Sequence, residues 1–347
     1  MYRLGTPVRA SLIPFIINGC GVHNVKNIVR ASAVAGLTAS CLVGVHAAPS
    51  VVHAAKSYKI VLVAGISSDP FYITMNHGAA NEAKKTGSSV QYTGSAAAFS
   101  PSTQIPYLNA AIAAKPDLIL IAPTDVVALQ APIAAAVAAH IPVILVDTTL
   151  NNPSIAITSV SSDNIAGGVK VCDALAQVLG KKGKVAIIST TPGVSTVDQR
   201  VLGFNSEIKK FPGLSSIGVT YATDSPTKAA TFTKGILTAH PDLSGIFATN
   251  TNTGSGVYSA VSEAGLAGKI KLVEFDAEPV EIQGLRKGTI SALVSQDPYS
   301  IGALAVQYGI QYLNGNHTLL KHYGTGEAII TKANIDSASV KQYEYTT

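Results

Sequence analysis

The sequence predicts an α/β protein made of two doubly wound lobes of parallel sheet. Three observations carry that prediction. Short apolar runs rich in β-branched residues recur along the chain: Lys59-Ile-Val-Leu-Val-Ala-Gly-Ile66, Asp117-Leu-Ile-Leu-Ile-Ala-Pro-Thr124, Pro142-Val-Ile-Leu-Val-Asp147, Lys184-Val-Ala-Ile-Ile-Ser189, Gly245-Ile-Phe-Ala-Thr-Asn250 and Lys271-Leu-Val-Glu-Phe-Asp276. Each is too short for a free-standing helix and gives way to a longer stretch with helical spacing. Strands covered on both faces read as continuous apolar runs, because the crossover helices of a parallel sheet pack on both sides of it. The alternation also restarts after residues 162–164, and 347 residues are enough for two cores.

Taken in order, residues 59–66 read as the first strand and 71–86 as the first helix. Residues 89–95 form a second strand, and 101–114 a helix that opens with Pro101 near its first position, where a missing N–H costs nothing. Residues 117–124 are the third strand, 126–139 an Ala-rich helix and 142–148 the fourth strand. Residues 155–160 alternate in strand fashion and lead into Ser162-Asp-Asn164, which reads both as a helix cap and as a crossing between lobes. The second cycle runs helix 163–179, strand 184–190, helix 196–210, strand 215–223 and a helix over 226–239 that stops before Pro241. It continues with strand 245–250, helix 254–264, strand 271–276, strand 289–296 meeting Asp297-Pro298, and helix 299–313.

Apolar content of 47% with only 13% charged residues excludes a disordered chain. The formal charge of +5 is concentrated at the start: Arg3, Arg9, Lys26 and Arg30 lie in the first 54 residues, which hold no Asp or Glu, and the remainder is close to neutral. A nearly neutral body has no electrostatic footprint for nucleic acid or an anionic membrane, so neither is an expected partner. Lys26 and Arg30 precede the apolar stretch 31–45, followed by Val45-His-Ala47 and Val52-His-Ala54 with their small-residue exits. Charged lead, apolar middle and small-residue exit read as a secretory signal. Residues 1–54 are therefore expected to be signal peptide and N-terminal extension, with translation starting nearer Val22 or Val25. Cys20 and Cys41 fall inside that segment. Cys172 then stands alone, which leaves no internal disulfide or metal site and suits a small buried hydrophobe.

Ligands of open α/β sheets gather at the carboxyl ends of the strands, where Asp147, Asn250 and Asp276 fall. Several further motifs occur in order: Asp69-Pro-Phe-Tyr72, Ile141-Pro-Val-Ile-Leu-Val-Asp147, Ser162-Asp-Asn-Ile-Ala-Gly-Gly168, Asp198-Gln-Arg-Val-Leu-Gly-Phe204, Leu237-Thr-Ala-His-Pro-Asp242, Phe247-Ala-Thr-Asn250, Glu274-Phe-Asp276 and Ser295-Gln-Asp-Pro298. With these, the chain from about Lys56 to Ile330 resembles the periplasmic sugar-binding proteins of the ribose-binding type, the solute receptors of ABC importers.

The resemblance implies two lobes that close on a sugar about three crossings, near Ser162-Asp163, Gln296-Asp297 and Gly326-Glu327. The N-terminal lobe would hold 57–162 plus 297–326, and the C-terminal lobe 163–296 plus 327–347. It places Asp147, Arg200, Asn250, Asp276 and Gln296 on sugar hydroxyls, with Asp69 where the family has an amide and Phe71 and Tyr72 where rings cover apolar sugar faces. Carboxylates, amides and guanidinium groups can each hold neighbouring hydroxyls, because an O–H rotates to donate or accept. Thr148 stands where ribose receptors have Arg, Asp224 where they have a stacking ring, and Gly65 where they have Ser, with Ser67 and Ser68 close by. The expected ligand is thus a monosaccharide, sugar alcohol or cyclic polyol other than ribose, with an amine-bearing analogue as the alternative. No cofactor or metal is implied; an ABC permease of the inner membrane is the implied partner, the periplasm the location and a monomer the state. A periplasmic receptor feeding a membrane signalling protein is the alternative role.

Plainer readings stand beside these. Asp147 and Asp276 also suit strand-end caps, Asn250 a turn, Arg200 an ion pair, Phe71 the lobe core, Gln296 the hinge and Asp224 a surface loop. An enzyme is not expected. Gly193-Val-Ser-Thr-Val lacks the closing Gly of a nucleophile elbow, the His residues lack metal-ligand spacing, and Ser67-Ser-Asp-Pro70 replaces a Gly-rich phosphate loop.

Overall fold

Two six-stranded sheets organise the protein, which is described here by a computed structural model covering residues 56–346. The strands of the first cycle are β1 (Lys59–Val63), β2 (Ser89–Thr93), β3 (Leu118–Ile121), β4 (Val143–Val146) and β5 (Thr158–Ser162). Those of the second are β6 (Gly183–Ser189), β7 (Leu214–Tyr221), β8 (Leu243–Ala248), β9 (Lys271–Phe275) and β10 (Ile290–Gln296). Two short strands follow, β11 (His322–Thr325) and β12 (Glu327–Ile330), one joining each sheet. The orders are β11-β5-β4-β3-β1-β2 and β12-β10-β9-β8-β6-β7. Every pairing is parallel except β10 with β12, which run antiparallel, so the second sheet is not wholly parallel.

The apolar runs divide between the two faces of their sheet. Ile60, Leu62, Leu118, Leu120, Ile144 and Val146 pack on one side of the first sheet, and Val61, Val63, Ile119, Ile121, Val143 and Leu145 on the other. Successive side chains of a strand point to opposite faces, and here both faces are buried. The second sheet repeats the pattern, with Ala186, Ile188, Ile246 and Leu272 opposed to Val185, Ile187, Phe247 and Val273. Cys172 is fully buried in the latter layer.

Helices α1 (Pro70–Lys84), α2 (Pro101–Ala114) and α3 (Gln130–Ala138) accompany the first cycle. The second has α4 (Asn164–Val178), α5 (Ser195–Glu207), α6 (Pro226–Ala239), α7 (Thr251–Glu263), α8 (Pro279–Lys287) and α9 (Pro298–Leu313), and α10 (Ala338–Lys341) closes the chain. α3 begins later than its apolar pattern, because Asp125 Oδ1 accepts from the Val127 and Ala128 amides and holds a turn there. α8, β11, β12 and α10 are not among the elements expected from the sequence. The chain passes from one sheet to the other at Ser162–Asn164, Gln296–Pro298 and Thr325–Glu327. α9 returns to the first sheet and packs along α1. The proposed signal and extension, residues 1–54, lie outside the described residues. No described helix is long and apolar enough to cross a membrane.

A candidate ligand cleft between the two sheets

The carboxyl ends of strands in both sheets face one cavity. Asp69, Phe71, Tyr72, Phe99 and Asp147 line it from the first sheet's side. Thr190, Val194, Thr196, Val197, Arg200, Asp224, Asn250, Thr251, Asp276 and Gln296 line it from the second. All eight residues assigned to the ligand with most weight from the sequence therefore line one cavity, four from each side.

Strand ends set the carboxylates. Asp147 follows β4 with φ 62°, Asp276 follows β9 with φ 88°, and Asp224 follows β7 with φ 55°. Asp tolerates this left-handed backbone better than most residues, and the conformation turns each side chain off its strand at the sheet edge. Tyr72 donates its phenol O–H to Asp147 Oδ2 at 2.7 Å. Burial pushes the Asp147 carboxyl up to about 6, against the opposing pull of Arg200 and the Tyr72 bond. Asp224 is likewise pushed up to about 6 by burial, although Asn250 and Asn252 both donate to it, at 2.7 and 3.1 Å.

Asp69 caps α1: Oδ1 accepts from the Phe71 amide at 2.9 Å, and Oδ2 accepts from Thr251 Oγ1 at 3.0 Å across the cleft. Burial raises its carboxyl well above the usual range, the nearby Asp224 and Asp276 adding to the effect. Asn250 caps α7 through a reciprocal capping box with Thr253 while its amide reaches Asp224. Asn250 thus both closes this turn and lines the cavity.

Arg200 is 2% exposed and held on three sides. Nε donates to Asn164 Oδ1 at 2.9 Å, a terminal nitrogen donates to the Thr249 carbonyl at 2.7 Å, and the guanidinium lies 3.7 Å over the Phe275 ring. The same nitrogen stands 3.9 Å from Asp276 Oδ2. α5 can bring Arg200 this deep because α4 crosses it at Gly168, where a Cβ would run into the Arg200 carbonyl oxygen. Asp276 Oδ1 accepts from Gln296 Nε2 at 2.8 Å and from the Tyr345 phenol at 2.6 Å.

Two buried polar atoms of the wall, Gln296 Oε1 and Thr190 Oγ1, have no partner. A buried acceptor without a hydrogen bond costs about 1–3 kcal/mol, so each is poised for an incoming O–H. Fully buried Gln104 fixes the first sheet's edge: Nε2 donates to the Ala64 and Ala122 carbonyls, and Oε1 accepts from Thr124.

Ser67, Ser68 and Thr148 do not line the cavity. Ser67 Oγ donates to the Gly94 carbonyl at 3.0 Å, Ser68 is exposed and points to the Ala96 carbonyl, and the Thr148 hydroxyl is buried without lining the cavity. Asp224 moves the other way, from a surface-loop reading to the cavity wall. Phe99 was not foreseen. Its ring enters from the loop between β2 and α2, and Gly65 makes the room: a Cβ there would collide with the Phe99 ring and crowd the Tyr72 hydroxyl. Ser195 accepts from the Thr149 amide at 3.0 Å, a second bond across the cleft. No group of acidic, His or Cys side chains that could hold a metal occurs among the described residues.

A family model of the periplasmic binding protein domain matches residues 60–317. The ribose import binding protein RbsB of Bacillus subtilis is 30% identical over 260 residues, covering 75% of this chain and 83% of that one. The D-allose-binding periplasmic protein of Escherichia coli is 28% identical over 261 residues, covering 73% and 83%. A solved ABC transporter solute-binding protein of Agrobacterium vitis, bound with α-D-tagatopyranose, superposes with a TM-score of 0.82 at 36% identity over 84% of this chain and all of that one. Another from the same organism, with bound D-fucose, gives 0.79 at 30% identity over 83% of this chain and all of that one. A matched family model over most of the chain, relatives covered over most of their length and the two-sheet cleft lead to one conclusion: this chain belongs to the periplasmic binding protein family.

Proposed function

We propose that the protein is the exported solute-binding component of an ABC importer, holding one neutral monosaccharide or related polyol in the cleft and delivering it to a membrane permease. The observation that carries this reading is the convergence, from both sheets, of Asp147, Arg200, Asp276 and Gln296 with the rings of Phe71, Tyr72 and Phe99 on one cavity. Four carboxylates against one guanidinium disfavour an anionic guest. The curated relatives are named for ribose and allose, and the solved ones hold tagatose or fucose, which supports a pentose or hexose here.

The lobes are 57–162 plus 297–326 and 163–296 plus 327–347, hinged at the three crossings and closing as ligand completes contacts available only in the closed state. The basic, apolar and small-residue run within residues 1–54 serves as the export signal to the periplasm. Thermal-shift measurements on the mature protein against D-ribose, D-allose, D-tagatose, D-fucose, D-arabinose and myo-inositol test the reading, since binding the folded state alone raises its melting temperature. No shift with any of them would count decisively against it.

A further inference from the structure

The chain's last residues do something the lobe division does not anticipate. After Ile335 and, from α10, Val340 pack into the second sheet's core, the Ser295 hydroxyl donates to the Tyr343 carbonyl at 2.6 Å and the Tyr345 amide donates to the Ala277 carbonyl at 3.0 Å. Both partners belong to the second sheet's side. Yet the Tyr345 ring, 5% exposed, is buried with the core of the first sheet, edge-on to Phe71 with centroids 5.7 Å apart. One residue later, the Thr346 amide donates to Thr74 Oγ1 at 2.8 Å, and Thr346 Oγ1 lies 3.0 Å from His77 Nδ1, both on α1. Four consecutive residues thus bridge the two sheets beside the cleft, in addition to the three covalent crossings.

The Tyr345 hydroxyl donates to Asp276 Oδ1, the oxygen that Gln296 Nε2 also uses, and accepts from the Gln296 amide at 3.4 Å. With two donors on Oδ1, the carboxylate is pinned so that Oδ2 faces Arg200 and the Thr251 amide, 3.9 and 3.2 Å away. We propose that residues 343–346 form a strap tying the lobes together at the cleft, and that Tyr345 on it is a positioning residue that sets the orientation of Asp276 for ligand. This rests on the reading of Asp276 as a ligand group; the strap itself does not.

The test uses Tyr345→Phe, which keeps the buried ring and removes only the hydroxyl, in the full mature protein. Calorimetric titration with whichever sugar of the panel binds the wild type is expected to show a five- to fiftyfold loss of affinity. The loss sits in faster dissociation, while the ligand-free melting temperature falls by only the few degrees expected for one buried hydrogen bond. Independently of any sugar, the Gln296 side-chain amide resonances must shift in the variant. Amide exchange at Tyr345 and Thr346 in ligand-free wild type must be at least a hundredfold slower than in an unstructured peptide. Unchanged affinity, or unmoved Gln296 resonances, overturns the positioning role; exchange at the free-peptide rate overturns the strap. If no sugar binds the wild type, the functional reading fails while the resonance and exchange results still decide this proposal.

Discussion

Replacing Arg200 by Lys keeps the charge and removes the planar fork, which separates electrostatics from geometry. Arg200 gives two hydrogen bonds, at 2.9 Å to Asn164 and 2.7 Å to the Thr249 carbonyl, and stacks 3.7 Å above Phe275. Hydrogen bonds involving a charged partner contribute about 1.5–3 kcal/mol each, and a desolvated cation–π contact about 2 kcal/mol. An ammonium at the end of a flexible stem can restore one of the bonds, and it cannot reproduce the flat stack together with both acceptors. The net loss of stability is therefore about 2–4 kcal/mol. At roughly 2–4 °C per kcal/mol for chains of about this size, the ligand-free melting temperature should fall by about 4–16 °C. The free donors of the guanidinium are the ones available to sugar hydroxyls, and losing a charged bond of about 1.5–3 kcal/mol weakens sugar binding by about 10- to 150-fold. Differential scanning calorimetry and titration calorimetry measure the two effects on one preparation. A variant that melts normally and binds sugar within threefold of wild type would refute the assignment of Arg200 as both keystone and ligand group.

Other expectations follow from the same geometry. Asp147 and Asp224 are raised from 3.8 to about 6 and Glu278 from 4.5 to about 7, burial being the main cause in each. The folded state therefore holds their protons more tightly than the unfolded one, so this part of the stability is complete below about pH 4 and is lost as pH rises through about 6–7. Between pH 5 and pH 8 the ligand-free melting temperature should drop, and Asp147→Asn or Asp224→Asn should flatten the drop; an unaltered slope in both variants contradicts the assignment. Gly65→Ala drives a methyl into the Phe99 ring, an overpacking cost of about 1–3 kcal/mol, and should weaken sugar binding as Phe99 is displaced from the wall. Glucuronate and sugar phosphates should give no detectable heat where the matching neutral sugar binds, because the cavity holds more carboxylate than guanidinium; tight binding of a sugar acid would contradict that charge argument.

Much of the fold is legible in the sequence because buried parallel strands and their helices leave strong periodic signals. Runs such as Leu-Ile-Leu-Ile in β3 can be little else, and Pro101 and Pro226 mark their helix starts within a residue. α8 escaped because it is nine residues long and mixes charge with Gly284; its signals were the Glu278–Glu281 capping box, Pro279 at the first turn and Gly288 in left-handed conformation at the end. β11 and β12 are four residues each, partly exposed edge pieces with no apolar run to announce them. At the site, residues at strand ends were legible because topology places them together. Phe99 and Tyr345 were not, since a loop ring and a chain-terminal ring reach the cleft only through tertiary packing. Asp224 sits in a loop that reads as surface, and only the folded chain shows Asn250 and Asn252 donating to it.

The central claim is that one sugar is gripped by side chains of both lobes. A crystal structure of the mature protein with the tightest-binding neutral sugar tests it most directly. The account predicts sugar density in the cleft, with hydroxyls on Asp147, Arg200, Asp276 and Gln296 Oε1 and a sugar face against Phe99 or Phe71. Sugar bound outside the cleft, or held by one lobe alone with Arg200 and Asp276 untouched, would contradict it.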